Sequence, residues 1–113
     1  MLMLSTDLRN NVLVVRVTEK RIDASKAPAF KDEMTKCIDG GHNQIVLDLS
    51  GVDFIDSSGL GAIVSCLKRL GPRGSLAVAG ASGAVSRLFT LTRMDRVFAL
   101  HPTVDSAVEQ LSA

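Results

Sequence analysis

Tryptophan and tyrosine are absent from this chain, and four phenylalanines are its only aromatic residues. Its core must therefore be built mainly from Val, Leu, Ile and Ala. An excess charge of either sign is missing too. Thirteen Lys and Arg stand against twelve Asp and Glu, a formal net charge of +1, so nothing steers the chain towards nucleic acid or acidic lipid. No apolar run approaches the ~20 residues that a membrane-spanning helix needs. The opening stretch MLMLSTDLRN lacks a basic region followed by a long apolar run, so no secretory leader is expected and the predicted location is the cytoplasm. The two cysteines, Cys37 and Cys66, are far apart on apolar helical faces. They read as reduced thiols packed as small hydrophobes rather than as a disulfide or a metal pair.

With 113 residues, the chain has the length of one domain, 1–113. NVLVVRV (11–17) is β-branched and apolar, and an extended segment around residues 3–8 can pair with it as a hairpin through Asn10-Asn11. Ala27, Phe30, Met34, Cys37 and Ile38 recur at helical spacing up to Gly40-Gly41. QIVLDLS (44–50) predicts a second buried strand. Leu60, Ile63, Val64, Leu67 and Leu70 predict a helix closed by Gly71-Pro72. SLAVAG (75–80) reads as a strand, the surroundings of Val85, Leu88 and Phe89 as a helix, and RVFAL (96–100) as a last strand. Val104, Ala107, Val108 and Leu111 predict a C-terminal helix with Thr103 as its N-cap. The expected fold is α/β: a single mixed, mostly parallel sheet with an N-terminal hairpin, packed against about four helices.

Parallel strands joined by right-handed crossovers end at one rim of their sheet, where open α/β sheets usually keep their binding sites. That rim collects Asp23 after the strand at 11–17, Asp53, Asp56, Ser57 and Ser58 after 44–50, and Ser82 after 75–80. Ser57 and Ser58 open a helix beside several acids, yet no histidine lies near them in sequence. His42 precedes its strand and belongs at the opposite rim, while His101 sits in a turn before a capped helix. A nucleophilic serine needs a base and an oxyanion hole. GASGA (80–84) also departs from the nucleophile-elbow pattern, with Ala84 in place of the second glycine. No catalytic residue is assigned. Gly59-Leu60-Gly61 opens a helix after a strand, but Val64 occupies the third fingerprint position and no G-K-[ST] follows, so no nucleotide, metal or other cofactor is expected.

The remaining readings of Ser57 are a helix N-cap, worth ~1 kcal/mol over alanine, and an acceptor for phosphate. A helix mouth tolerates an anion, and esterification would add roughly −1.5 to −2 charges to the rim. Gly59 keeps that mouth uncrowded, so that another molecule can approach.

The run VLDLSGVDFIDSSGLGAIV (46–64) resembles the central segment of STAS domains of the anti-sigma factor antagonist family. The order of strands and helices matches over essentially the whole chain, and D-S-S-G-L-G is the motif of the phosphorylatable branch. The resemblance implies that Ser57 is the phosphoacceptor. It also implies that the partners are an anti-sigma factor acting as an ATP-dependent serine kinase and a PP2C-type phosphatase that reverses the modification. Only the unphosphorylated protein would bind the anti-sigma factor. Asp23, in Arg21-Ile22-Asp23, aligns with the family's acidic residue after the second strand. The glycine of that motif is missing, and Glu19-Lys20-Arg21 makes the turn one residue longer. Thr92-Arg93 replaces a glycine-containing turn after the third helix. Asp23, Asp56, Ser58 and Gly59 are the expected partner-binding residues. A phospho-switch controlling secretion, motility or biofilm formation, a STAS subunit of a transporter, and a small serine hydrolase are the alternatives.

Overall fold

The computed structural model describes residues 3–112. In chain order its elements are β1 (Leu4–Arg9), β2 (Val12–Val17), β3 (Arg21–Ile22), α1 (Ala27–Asp39), β4 (Gln44–Asp48), β5 (Phe54–Ile55), α2 (Ser57–Leu70), β6 (Ser75–Ala79), α3 (Gly83–Leu91), a 3-10 turn (Met94–Arg96), β7 (Ala99–His101) and α4 (Val104–Ser112). The main sheet has the order β1-β2-β4-β6-β7. β1 is antiparallel to β2, and every other neighbouring pair is parallel. The expected mixed, mostly parallel sheet with an N-terminal hairpin is therefore present.

Alternation along the strands divides the core between two faces, because successive side chains of a strand point to opposite sides. Leu13, Val15 and Val17 of β2 join Ile45 and Leu47 of β4 on one face. There they pack with Phe30 and Met34 of α1, Ile63 and Cys66 of α2, and Val85 and Phe89 of α3. Val12, Val14, Val46, Ala77 and Ala79 line the other face, under Ala107 and Val108 of α4. Phe89 meets Phe98 edge to face with ring centroids 5.9 Å apart, a geometry worth about 0.5–1.5 kcal/mol beyond the area it buries. Burial pushes both thiols up, Cys66 to about 11 and Cys37 in the same direction, and both are free.

Local chemistry explains most boundaries. Asn10 and Asn11 hold φ of 52° and 66°, the left-handed pair that a tight hairpin needs and that Asn tolerates. Thr103 Oγ1 accepts the Ser106 N–H at 3.1 Å, which makes it the N-terminal cap expected for α4. Two features depart from the sequence expectation. The short strands β3 and β5 pair with each other in parallel outside the main sheet, where only loops were foreseen. The last strand is Ala99–His101 rather than 96–100, because Met94–Arg96 coil into a 3-10 turn. Arg93, just past the end of α3, enters that turn at φ 61°. Among the described residues, no helix is long and apolar enough to cross a membrane.

Arg93 occupies the position after a helix end where the left-handed conformation normally selects glycine, and a side chain there carries a steric penalty. Arg93→Gly is expected to raise the unfolding free energy by about 0.5–1 kcal/mol, offset in part by the greater freedom of glycine in the unfolded chain. Urea denaturation of the two proteins side by side checks it.

Candidate partner-docking site

The two loops that carry the rim residues are joined before they meet any partner. After β2, the chain reaches β3, and after β4 it reaches β5. These pair with Arg21 opposite Phe54 and Ile22 opposite Ile55. Ile22 and Ile55 are both buried, so the small ladder has an apolar underside and leaves Arg21 and Phe54 on its exposed top. The Asp53 N–H donates to the Lys20 carbonyl at 2.8 Å. On the exposed side, the Arg21 guanidinium lies over the Phe54 ring, 4.3 Å from its centroid. Such a pair is worth about 0.5–1 kcal/mol at the surface.

Asp56 closes the junction. It sits at the N-cap of α2 with an extended backbone, φ −96° and ψ −175°. Its Oδ1 accepts the Gly59 N–H at 2.9 Å, and its Oδ2 accepts the Ala24 N–H at 3.0 Å. One carboxylate thus caps the helix and ties down the loop of Asp23. The sequence had offered this cap to Ser57. The structure gives it to the residue before, because the longer reach and second oxygen of Asp56 satisfy donors from both loops. Ser57 is instead the first residue of α2 and is exposed. No hydrogen bond with another described residue engages its hydroxyl.

Gly59 is buried and has a packing role. A Cβ built on it would lie 2.1 Å from the Ile22 carbonyl oxygen and 2.9 Å from Ile55 Cγ2. The first turn of α2 therefore presses directly on the β3–β5 ladder. Glycine shapes the helix mouth here, but it offers a partner no surface of its own. Ser58 is exposed and borders a groove of about 500 Å³ between α1 and α2, whose walls include Ala24, Ala27, Lys31 and Ala62.

Asp23 stands on the neighbouring loop. Its Oδ1 accepts the Ser25 hydroxyl at 2.6 Å and the Ser25 N–H at 3.1 Å, and its Oδ2 faces Arg21 Nε at 3.5 Å. The Ser25 hydroxyl is the main cause holding Asp23 below the usual carboxylate range, with partial burial opposing it. The group stays ionised as a fixed negative charge on the rim. Asp53 is exposed. Ser82 opens α3 at the same end of the sheet but makes no hydrogen bond to Asp23, Asp56 or either serine. His101 Nδ1 lies 3.2 Å from Ser106 Oγ, and neither Ser57 nor Ser58 has a hydrogen bond to it.

Sequence reasoning missed the Asp56–Ala24 tie and the Arg21–Phe54 stack. With two residues in each strand, β3 and β5 leave no periodic pattern in the sequence that could have announced them.

The STAS domain family model matches residues 3–107. The chain belongs to the STAS domain family. A Thermotoga maritima protein named "Putative anti-sigma factor antagonist" is 32% identical over 101 residues, which cover 88% of this STAS chain and 89% of that relative. The crystal structure of an anti-sigma factor antagonist from Mycobacterium paratuberculosis superimposes with a TM-score of 0.90 at 29% identity, covering 97% of this chain and 93% of the other. The Bacillus protein SpoIIAA in its phosphorylated form, only 16% identical, shares the STAS fold with a TM-score of 0.72 over 96% of this chain and 98% of its own.

The bridge made by Asp56 sets a graded outcome for substitution in this STAS domain. Asp56→Ala removes the cap and the tie to Ala24, and is expected to cost about 1–3 kcal/mol. Asp56→Asn keeps one accepting oxygen and should lose roughly half as much. Gly59→Ala should cost as much as Asp56→Ala or more, since its Cβ meets backbone that cannot move aside. Thermal and urea unfolding of the three variants give this ranking directly.

Proposed function

We propose that this protein is an anti-sigma factor antagonist whose docking is switched by phosphorylation of Ser57. Unphosphorylated, it binds an anti-sigma factor that is also a serine kinase and so releases the sigma factor. The kinase phosphorylates Ser57 and ends the complex, and a PP2C-type phosphatase restores it. The protein is a binding partner and substrate, with the nucleotide, metal and base supplied by the kinase. The observation that carries this reading is the state of the Ser57 hydroxyl. It is exposed at the start of α2 and free of capping duty, on a rim whose neighbouring loop holds Asp23. The names of the relatives support the antagonist assignment.

The electrostatics support a switch. Ser57 follows a carboxylate that already occupies the helix cap, so a phosphate there would add roughly −1.5 to −2 charges beside an existing negative charge. A partner surface complementary to Asp23 and Asp56 would then meet about twice the charge it was matched to. Asp23, Asp56 and Ser58 form the recognition rim in this proposal, and Gly59 contributes by letting α2 seat against β3.

With Mg-ATP and the anti-sigma serine kinase of its own organism, the protein should gain one phosphate, on Ser57. Intact-mass and fragment spectra decide the site, and modification confined to Ser58, Ser82 or a threonine would contradict it.

Because Asp56 holds the cap, Ser57→Ala should leave stability within about 0.5 kcal/mol of the parent while binding the anti-sigma factor constitutively. Ser57→Asp should be at least as stable, since an acid suits the first helical turn, yet bind weakly. Calorimetric titration against the anti-sigma factor, paired with melting curves, separates the two effects. Equal binding by both variants would show that charge at the helix mouth does not govern docking.

A further inference from the structure

The outer edge of β1 is open, and we infer that it pairs with the same edge of a second copy of this chain to form a two-fold dimer. β1 and β7 are the two edges of the main sheet. β7 has three residues, whereas β1 has six in unbroken register with β2. It holds no proline, lysine or bulge of the kind that guards such edges. The Thr18 N–H donates to the Met3 carbonyl at 2.8 Å, in line with the register of the β1–β2 pair. Hydrogen-bonded and open pairs alternate along an antiparallel ladder, so Ser5, Asp7 and Arg9 turn their backbone groups towards β2, and Leu4, Thr6 and Leu8 turn theirs outward. Glu33 Oε1 accepts the Leu4 N–H at 3.3 Å. The Leu4 carbonyl and both backbone groups of Thr6 and Leu8 have no partner among the described residues.

The side chains of this edge fit a copy of themselves. Leu4, Thr6 and Leu8 stand beside Val17, Val15 and Leu13 of β2, on the sheet face that packs against α1. Leu8 is 58% exposed there. Further along the same edge, a mostly apolar groove of about 180 Å³ opens between β1 and α1, walled by Leu4, Thr6, Glu33, Lys36 and Cys37. One edge thus carries both a knob and a recess. Outward residues can pair only with outward residues, and the register centred on Thr6 sets Thr6 against Thr6 of the second copy. Each Leu4 then faces the Leu8 of the other chain, so each exposed leucine lies at the mouth of the other chain's groove. On the opposite face each Ser5 hydroxyl meets the other chain's Asp7 carboxylate. Such cross-strand pairs are the stabilising unit of a sheet. The neighbouring registers are worse, because one opposes Asp7 to Asp7 and the other slides Leu8 past the beginning of β1. The pairing is isologous and closes at two chains. Because it is antiparallel, the two Ser57 rims point in opposite directions, and both stay open.

Sedimentation velocity of the full chain over a series of concentrations tests the dimer. The mass should rise from that of one chain towards that of two. Over the same series, the Thr6 and Leu8 amides should become protected from hydrogen exchange, while those of Ser57 and Asp23 do not change. In a mixture of isotope-labelled and unlabelled chains, NMR contacts should join the Leu8 methyls of one chain to the Leu4 methyls of the other. Leu8→Lys changes an exposed side chain and should weaken association at least about tenfold with little change in the melting curve. Thr6→Pro removes an outward N–H that β2 does not use and should abolish it, whereas Ser57→Asp should leave it intact. A chain that stays monomeric at every concentration overturns the inference. So does a dimer that survives Leu8→Lys, or one whose protected amides lie on β7 or on the Ser57 rim. Protection of Thr6 and Leu8 by an alternating Val–Thr strand peptide or by phosphatidylglycerol vesicles, without self-association, would assign the edge to another protein or to a membrane and would also overturn it.

Discussion

One carboxylate organises the end of this domain that carries Ser57. Asp56 accepts from Gly59 with one oxygen and from Ala24 with the other, so the start of α2 and the entry to α1 are set by the same side chain. The geometry below it leaves little freedom. With Gly59 pressed onto the Ile22 carbonyl, α2 can approach β3 only because no side chain intervenes. The loop of Asp23 cannot swing away without breaking the Ala24 bond. A rim of two loops thereby becomes one surface with fixed charge positions. Rigidity of this kind lowers the ordering cost that a partner must overcome on binding.

The same arrangement explains how a serine at a helix start can be spared for chemistry. In most helices the serine nearest the first turn spends its hydroxyl on a backbone N–H. Here that donor is already taken, and Ser57 is presented outward on a helix that does not need it. The cost is borne by electrostatics: the helix mouth that would welcome an anion already holds one. A phosphate at Ser57 would gain from the unpaired N–H groups and the dipole of α2 but lose to its neighbour Asp56. Those two effects are each of the order of 0.3–1 kcal/mol at an exposed site. The fold would tolerate the modification, and its consequence would fall on the docking surface.

Much of this was legible from sequence because the strands are buried on one or both sides and their apolar patterns are long. The hairpin followed from Asn10-Asn11, the helices from their apolar spacing and glycine stops, and the gathering of Asp23, Asp56 and Ser57 at one rim from parallel connectivity alone. What escaped has a common cause. Asp, Ser and Ser in succession are all good capping residues, and choosing among them requires knowing that a second donor, the Ala24 N–H, lies across a loop junction distant in sequence. The β3–β5 ladder has two residues per strand, too short for a periodic signal. At the other end, Val97 and Phe98 look like strand residues, but only Phe98 is buried. The left-handed turn at Arg93 delays the strand until Ala99.

The two rims differ in charge for a reason that is partly built into the fold. In parallel α/β connections the helices run back against the strands, so helix starts gather at the rim of strand ends and helix ends gather at the other. Dipole complementarity then favours acids at the first rim and bases at the second. Asp56 at the cap of α2 follows this rule, as do Lys36 near the end of α1 and Lys68 and Arg69 near the end of α2. Arg69 is further engaged by Asp39 at 2.8 Å. The rule does not account for Arg73, which lies beyond α2 in the loop to β6. The dipole rule therefore sets the charge beside the helix ends and leaves the loops between elements unconstrained.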